Sequence, residues 1–353
     1  MRWVLGEAGR NLASGTTHAL RYALALALVV ATLAAAEAAT VDSALRRAEE
    51  YRASGANVIM LQAPGLVDGA ACDAISGLPG VEAAGAIRSV PDPVVAAALP
   101  QGSIAGYRVT DGALDLFGVT GTGAGVAVSQ EVAESLGLEP GDPLVTTAGT
   151  TAVRGTFPWP DDGRRFGFSY AALAPDRGDE PFDECWARAW PVPTNLASVL
   201  RLTVGAGGDE STQVTVGQLN TIHGTSFDGG RLYDERTTRP APWIALGAGL
   251  VIGYVSVRTR RLELAAARHV GVGLGHQHVM VLVEAVVWVA AAAVLAAAAV
   301  TVLVSRSSGV DDAALAVVAA RVGASGVVGA LLGTQLATAV TRESHLFRYF
   351  KAR

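Results

Sequence analysis

The sequence predicts a membrane protein with four transmembrane α-helices and one extracytoplasmic α+β domain inserted between helices 1 and 2. Half of the 353 residues are apolar, and mean hydropathy is positive at +0.36. The apolar residues concentrate in runs at 22–36, 242–257, 279–304 and 322–340. These runs approach or exceed the ~20 residues that a bilayer requires. About two hundred residues of ordinary mixed composition separate the first run from the second.

Charge orients these segments. Residues 42–239 hold 25 acids and 14 arginines, whereas the rest of the chain holds 13 basic and 7 acidic residues. Because basic loops stay in the cytoplasm, we expect both termini on the cytoplasmic side of a cell membrane and the acidic domain outside. The predicted segments are a cytoplasmic amphipathic elbow helix (1–21), transmembrane helix 1 (22–41), the outer domain (42–240), helix 2 (241–257), a cytoplasmic loop (258–278), helix 3 (279–304), a short outer loop (305–321), helix 4 (322–340) and a cytoplasmic tail (341–353).

The first apolar run has a second interpretation. It is short for a span, and Ala36-Glu37-Ala38 is similar to a signal-peptide cleavage site. However, the leading segment is long and amphipathic, and the charges at Arg21 and Glu37 can reach the two interfaces. We therefore favour a retained elbow helix and span.

The loop after helix 2 is the most basic segment between two apolar runs. Its bases are Arg258, Arg260, Arg261 and Arg268, against the single acid Glu263. Good helix formers follow Arg261, and Gly271 is placed to end the helix. The simplest interpretation is a loop that only fixes topology. A short charged helix held against the bilayer is also what docking to a cytoplasmic partner requires. Farther on, Glu284 lies near the start of an apolar run, where an acid needs a partner across helices or an interfacial position.

Several function classes are excluded. The only lysine is Lys351, so the chain has no P-loop lysine to bind nucleotide phosphates. The glycines at 121, 123 and 125 precede a strand-like run, so they do not form a dinucleotide fingerprint. The outer domain has one histidine, His223, and no nucleophile motif, which predicts neither a metal site nor an enzyme. An acidic surface without basic clusters predicts no nucleic-acid binding.

The outer domain alternates short strands and helices. We expect helices at 70–76 and 130–136, the second capped by Gly137. Strands are expected at 57–62, 81–90, 107–109, 126–128, 144–147 and 185–190.

The outer domain also holds both cysteines and a dense group of aromatic residues. Cys72 and Cys185 either form a disulfide, which we favour in an oxidising compartment, or remain two buried thiols. The aromatic residues at 157–193 form either an exposed patch or, as we favour, a core.

Two stretches carry a resemblance to a known family. The runs GANVIMLQ, LPGVEAAGAI, GVAVSQEVAESLGLEPGDPL and VRGTF resemble, in order and spacing, the periplasmic core domain of MacB-like permeases. The pattern Arg-Arg-x-Glu, an alanine-rich helix, Arg268, Gly271 and an apolar span opening near Glu284 is similar to the loop after the second span of FtsX-like and MacB-like permeases of ATP-binding cassette systems.

The resemblance implies a function. The loop would be a coupling helix that contacts the ATPase subunit through Arg258, Arg260, Arg261, Glu263, Arg268 and Gly271. It implies two ATPase copies, which would hold ATP and magnesium, a second permease copy, identical or not, and an extracytoplasmic protein partner. The stretch from Gly271 to Gly275 departs from the more polar family pattern. The alternative from another class is a membrane-anchored sensor or scaffold that works without an ATPase.

Overall fold

A computed structural model describes residues 2–121, 123–176, 180–205, 213–305, 311–342 and 344. Most of the predicted tail at 341–353, with Lys351, lies outside the described residues, as do residues 306–310 of the predicted outer loop. The chain divides into two compact units. The helical unit comprises Met1–Arg46 and Gly229–Arg353, and the sheet unit comprises Arg47–Asp228.

Among the residues that the structure describes, seven helices have all or part of their length in the helical unit. They are α1 (Arg2–Ala13), α2 (Ala19–Ala53, whose last residues belong to the sheet unit), α7 (Gly229–Asp234), α8 (Ala241–Arg258), α9 (Arg261–His269), α10 (Leu274–Val304) and α11 (Asp312–Val340). Four of them, α2, α8, α10 and α11, are long and apolar enough to cross a membrane. Together with the sheet unit they fit a membrane protein that carries an α+β domain outside the membrane.

Glycines let α8 and α11 approach closely. A Cβ atom at Gly249 would lie 2.2 Å from the Gly326 carbonyl oxygen, and one at Gly253 would lie 2.0 Å from that of Ala330. Gly333 makes the same kind of contact with the backbone of α8. These contacts occur at the small-xxx-small spacing that favours close helix packing in membranes. Side chains larger than hydrogen at these positions would force the two helices apart.

The described part of the sheet unit contains nine strands and four short helices. Its strands are β1 (Val58–Val67), β2 (Val81–Val94), β3 (Ile104–Val109), β4 (Val126–Ser129), β5 (Pro143–Thr146), β6 (Gly149–Phe157), β7 (Ala171–Pro175), β8 (Phe182–Ala189) and β9 (Thr215–Gln218). Its helices are α3 (Gly69–Ala74), followed by the 3-10 turn Ile75–Gly77, α4 (Asp111–Phe117), α5 (Gln130–Leu136) and α6 (Leu196–Arg201). The strands form one sheet in the order β5-β6-β4-β7-β3-β2-β8-β1-β9. The pairs β3/β7 and β4/β6 are parallel and the other pairs are antiparallel.

Local sequence signals explain the best-defined helix of this unit. The Ser129 hydroxyl accepts a hydrogen bond from the Val132 amide at the start of α5. Gly137 ends the helix with φ of +63°, a conformation that favours glycine. The helix bounds equal those predicted from the sequence.

The aromatic residues of the sheet unit form a core, as favoured from the sequence. Phe117, Phe157, Phe168 and Trp186 are buried and their rings contact one another. Phe166 is the exception, because its side chain is 92% exposed.

The predicted disulfide is confirmed. Cys72 on α3 and Cys185 on β8 are bonded at an S–S distance of 2.01 Å, with their Cα atoms 5.8 Å apart. Both residues are fully buried. The bond ties the helix after β1 to a central strand more than a hundred residues later.

Candidate functional site

The candidate site is the short helix α9 and the helix ends around it. Glu263 lies in the first turn of α9, and Arg268 and His269 lie in its last turn, which complements the helix dipole at both ends. Gly271 adopts φ of +96°. The amides of Gly271 and Val272 donate to the carbonyl oxygens of Arg268 and Ala267, which is a Schellman motif. The expected stop at Gly271 is therefore confirmed, and α10 begins at Leu274, ahead of the apolar run at 279.

One face of α9 packs against the long helices. Leu264 and Ala265 are buried. Leu264 belongs to a cluster with Val257 of α8, Val281 of α10 and Ala337 of α11. A helix of only nine residues is too short to be stable by itself in water. These apolar contacts are therefore part of what holds α9 in place.

Arg260, immediately before α9, makes the first polar connection to the bundle. Its side chain is only 10% exposed, and its guanidinium donates to Glu284 Oε2 at 2.6 Å and to Glu263 Oε1 at 2.8 Å. Glu284, 5% exposed, also accepts a hydrogen bond at 2.7 Å from the Asn11 amide group of α1. Burial lowers the pKa of Arg260, but the two carboxylates raise it by more, so its pKa lies above the ordinary value. Glu284 thus connects α1, α10 and the start of α9.

Arg268, in the last turn of α9, makes the second connection. Its guanidinium donates to Gln277 Oε1 at 2.6 Å and to the Thr338 carbonyl oxygen at 2.7 Å, and it also donates to the Thr341 carbonyl oxygen. The last carbonyl groups of a helix have no partner within the helix, so Arg268 satisfies the end of α11. Gln277 is buried in α10, and its Nε2 donates to the Leu264 carbonyl oxygen at 2.7 Å.

The other face of α9 is exposed. It presents Glu263, Ala266 and His269, and it continues into Val270, which is 80% exposed. Two basic residues from the sequence prediction are half-buried: Arg261 lies in the first turn of α9, and the Arg258 guanidinium lies 5.8 Å from the centre of the Tyr254 ring. The surface available to a partner is thus less basic than the sequence suggests.

The structure divides the predicted interface residues into two groups. Arg260 and Arg268 point inward and hold α9 to other helices, whereas Glu263 and Gly271 are exposed. Sequence reasoning missed Asn11 and Gln277. Neither lies in a motif that would single it out, and their roles depend on contacts between segments distant in sequence.

The two ends of α9 are held by different contacts. Arg260 forms a buried ion pair with Glu284, and such a pair is costly to break because one charge is left without a partner in a poorly solvated place. Arg268 donates hydrogen bonds to neutral groups of α10 and α11, which fixes the other end of α9. Within the described residues, no group of three or more histidine, cysteine, aspartate or glutamate side chains could hold a metal ion.

No protein-family model matches the chain, and no curated protein matches its sequence. Several solved structures are similar to part of it, and three of them are described here. The periplasmic region of MacB from Actinobacillus actinomycetemcomitans is 11% identical with a TM-score of 0.35, covering 54% of this chain and 99% of that chain. A putative permease domain from Porphyromonas gingivalis is 12% identical with a TM-score of 0.32, covering 47% and 92%.

The third structure is the extracellular domain of the noncanonic ABC-type transporter YknZ from Gram-positive bacteria. It is 12% identical with a TM-score of 0.31, and the match covers 46% of this chain and all of that chain.

Proposed function

We propose that this chain is a permease subunit of an ATP-binding cassette system, which couples ATP hydrolysis by a separate ATPase subunit to movement of its extracytoplasmic domain. The observation that supports this proposal is α9. It is a short helix fixed to the bundle at both ends by arginines, Arg260 largely buried and Arg268 half-buried, and its opposite face is exposed.

The proposed mechanism follows from these contacts. Closure of two ATPase copies around ATP and magnesium would push on the exposed face of α9 in each permease copy. Arg260 would pass the movement to α10 and α1 through Glu284, and Arg268 would pass it to α11. Both termini and α9 would lie in the cytoplasm. The substrate, in the class of peptides, antibiotics, lipids or lipoproteins, would be handled outside the membrane.

The first experiment targets the exposed face of α9. Ala266→Glu and Val270→Glu place a charge on the surface that would dock, without removing an internal contact. Leu202→Glu is the control, because Leu202 is highly exposed in the sheet unit. Each full-length variant is purified gently from its native membrane, the co-purifying ATPase is quantified by mass spectrometry, and ATP hydrolysis is assayed in the same sample.

We expect the two α9 variants to retain about one tenth or less of the ATPase and its activity, which corresponds to about 1.4 kcal/mol or more of lost binding. Leu202→Glu should retain all of it. If all three variants retain the ATPase equally, the contact with the ATPase does not involve this face of α9. If the unmodified chain co-purifies with no ATPase, the coupling proposal is wrong and the sensor or scaffold becomes the better hypothesis.

A further inference from the structure

A cavity of about 260 Å³ lies within the helical bundle, in the half remote from α9. Its walls come from α2, α10 and α11, and nine of its fourteen lining residues are alanine or glycine. Two of the lining residues, Ala34 and Val300, pack with Ala241 in the first turn of α8. The cavity therefore lies near the start of α8. The small side chains of α10 and α11 leave space that the bundle itself does not fill.

The lining selects an apolar occupant. Every lining side chain except that of Thr301 is hydrocarbon or hydrogen. The Thr301 hydroxyl donates to the Ala297 carbonyl oxygen at 2.9 Å, so its donor is already used within α10. Water would find almost no hydrogen-bonding groups in such a space, and apolar cavities of this kind stay dry.

The size of the cavity distinguishes between apolar occupants. From Ala292 to Thr301 its wall runs about 14 Å along α10, at 1.5 Å per residue. A helix of that length, about 10 Å wide, would occupy about 1,000 Å³, which is four times the space present. A whole transmembrane helix of a second copy therefore does not fit inside this space and would at most cover its opening. By contrast, an apolar cavity of about 150 Å³ holds the six carbons of benzene, so this one holds about ten carbons.

We propose that this cavity binds one acyl chain of a bilayer lipid. A chain of about ten methylene groups matches the volume, and its long, narrow shape follows the direction in which the cavity extends. The cavity opens among helices that are apolar enough to lie in a bilayer, where acyl chains are the most abundant unbranched hydrocarbon. The bound chain supplies the packing that larger side chains would supply in a closed bundle.

The test uses a photoreactive lipid. The full-length protein is reconstituted in phosphatidylcholine vesicles containing a trace of phosphatidylcholine with a diazirine on one acyl chain, and the adducts are mapped by mass spectrometry after illumination. We expect adducts on the half-buried cavity walls, such as Ala293 and Ala319, to exceed those on the exposed faces of the same helices several-fold. Ala293→Phe fills the cavity from α10 and should reduce the wall adducts about tenfold. Ala298→Phe, at an exposed position of α10 outside the cavity, should leave them unchanged.

Three results would overturn the proposal. The first is an even distribution of adducts between cavity walls and exposed faces. The second is equal labelling of Ala293→Phe and the unmodified chain. If Ala293→Phe fails to fold, the same labelling is measured in Ala320→Phe, which fills the cavity from α11. The third is a disulfide between copies through Ala293→Cys, which would show that a second copy covers the cavity. The natural cysteines are already bonded to each other and do not compete.

Discussion

The two units of this protein are stabilised in different ways. The sheet unit has a fully buried aromatic cluster and a disulfide. The helical unit has neither cysteine, and its helices α8 and α11 approach closely at glycines. Among the described residues, its most buried ion pairs are Arg260–Glu284 at 2.6 Å and Arg236–Glu37 at 2.8 Å.

The difference follows from the solvent that each unit is built for. In water, burying apolar surface drives folding, and an aromatic core serves that purpose. Lipid tails are as apolar as leucine, so helices in a membrane associate through close packing and polar contacts instead. Glu37 and Arg236 illustrate this at the end of the bundle remote from α9. Their side chains are almost fully buried, and the Arg236 guanidinium also lies 3.8 Å from the centre of the Tyr233 ring.

The largest expected effect is loss of the disulfide. Replacing Cys72 and Cys185 by alanine opens a loop with a sequence separation of 113 residues. The chain-entropy model gives a cost of about 4–5 kcal/mol in the free energy of unfolding. Hydrogen exchange of the full-length protein measures this unit by unit: α3 and β8 should lose protection, whereas α8 and α11 should keep theirs. Unchanged protection of β8 would show that the aromatic core stabilises this strand without the disulfide.

The second effect breaks the polar contacts of the helical unit. Glu284→Ala leaves the buried Arg260 guanidinium with Glu263 alone, and we expect a cost of about 3 kcal/mol. Protection of α1 and α9 against hydrogen exchange should fall. Glu263→Ala is the matched control, because the Glu263 side chain is half exposed and an exposed partner contributes less than about 1 kcal/mol. Equal effects of the two substitutions would mean that the burial of Glu284 does not increase its contribution to stability.

The third effect tests the glycine contacts. Gly253→Ala would place a methyl group 2.0 Å from the Ala330 carbonyl oxygen, and overpacking of this kind costs about 1–3 kcal/mol. In the same helix, a Cβ atom at Gly247 would meet nothing within 4 Å. Gly247→Ala should therefore be neutral or stabilising, because alanine favours the helix. Thermal unfolding followed by circular dichroism compares the two. A Gly253→Ala variant as stable as Gly247→Ala would exclude the tight α8–α11 contact.

The units also differ in how far the sequence predicts them. The four apolar helices could be predicted because length and composition suffice, although α11 begins at Asp312, ten residues before the apolar run. The charge of Arg321 interrupts the apolar run of the sequence, but it does not interrupt the helix. In the sheet unit α5 was predicted to the residue, since its caps are local. The strands β6, β7 and β9 were missed, because strands form through partners that can be distant in sequence.

The same distinction applies to the candidate site. Arg260, Arg268 and Glu284 could be selected from the sequence as charges near apolar runs. Their direction could not be predicted, because Arg260 and Glu284 are 24 residues apart and meet only when α9 folds back on the bundle. The predicted interface therefore included both internal and exposed residues. Only the burial of each side chain in the structure distinguishes the two groups.

The smallest expected effect is the pH dependence of the sheet unit, where two aspartates act with opposite signs. Hydrogen bonds from the Arg164 guanidinium, at 2.7 and 2.8 Å, hold the pKa of Asp162 below its ordinary value. Burial raises the pKa of Asp73, although the Thr110 hydroxyl donates to it. Unfolded aspartate has a pKa of about 3.9.

The contribution of Asp162 is therefore complete above about pH 4 and is lost as the pH falls through its folded pKa. Asp73 favours the folded state at acid pH, and this contribution is lost as the pH rises from about 4 through its own folded pKa. Denaturation midpoints of the sheet unit between about pH 2 and 6 separate the two. Asp162→Asn should reduce the loss of stability that occurs as the pH falls below about 4. Asp73→Asn should reduce the loss of stability that occurs as the pH rises above about 4. If both variants change the pH profile in the same direction, one of the two environments is not as described.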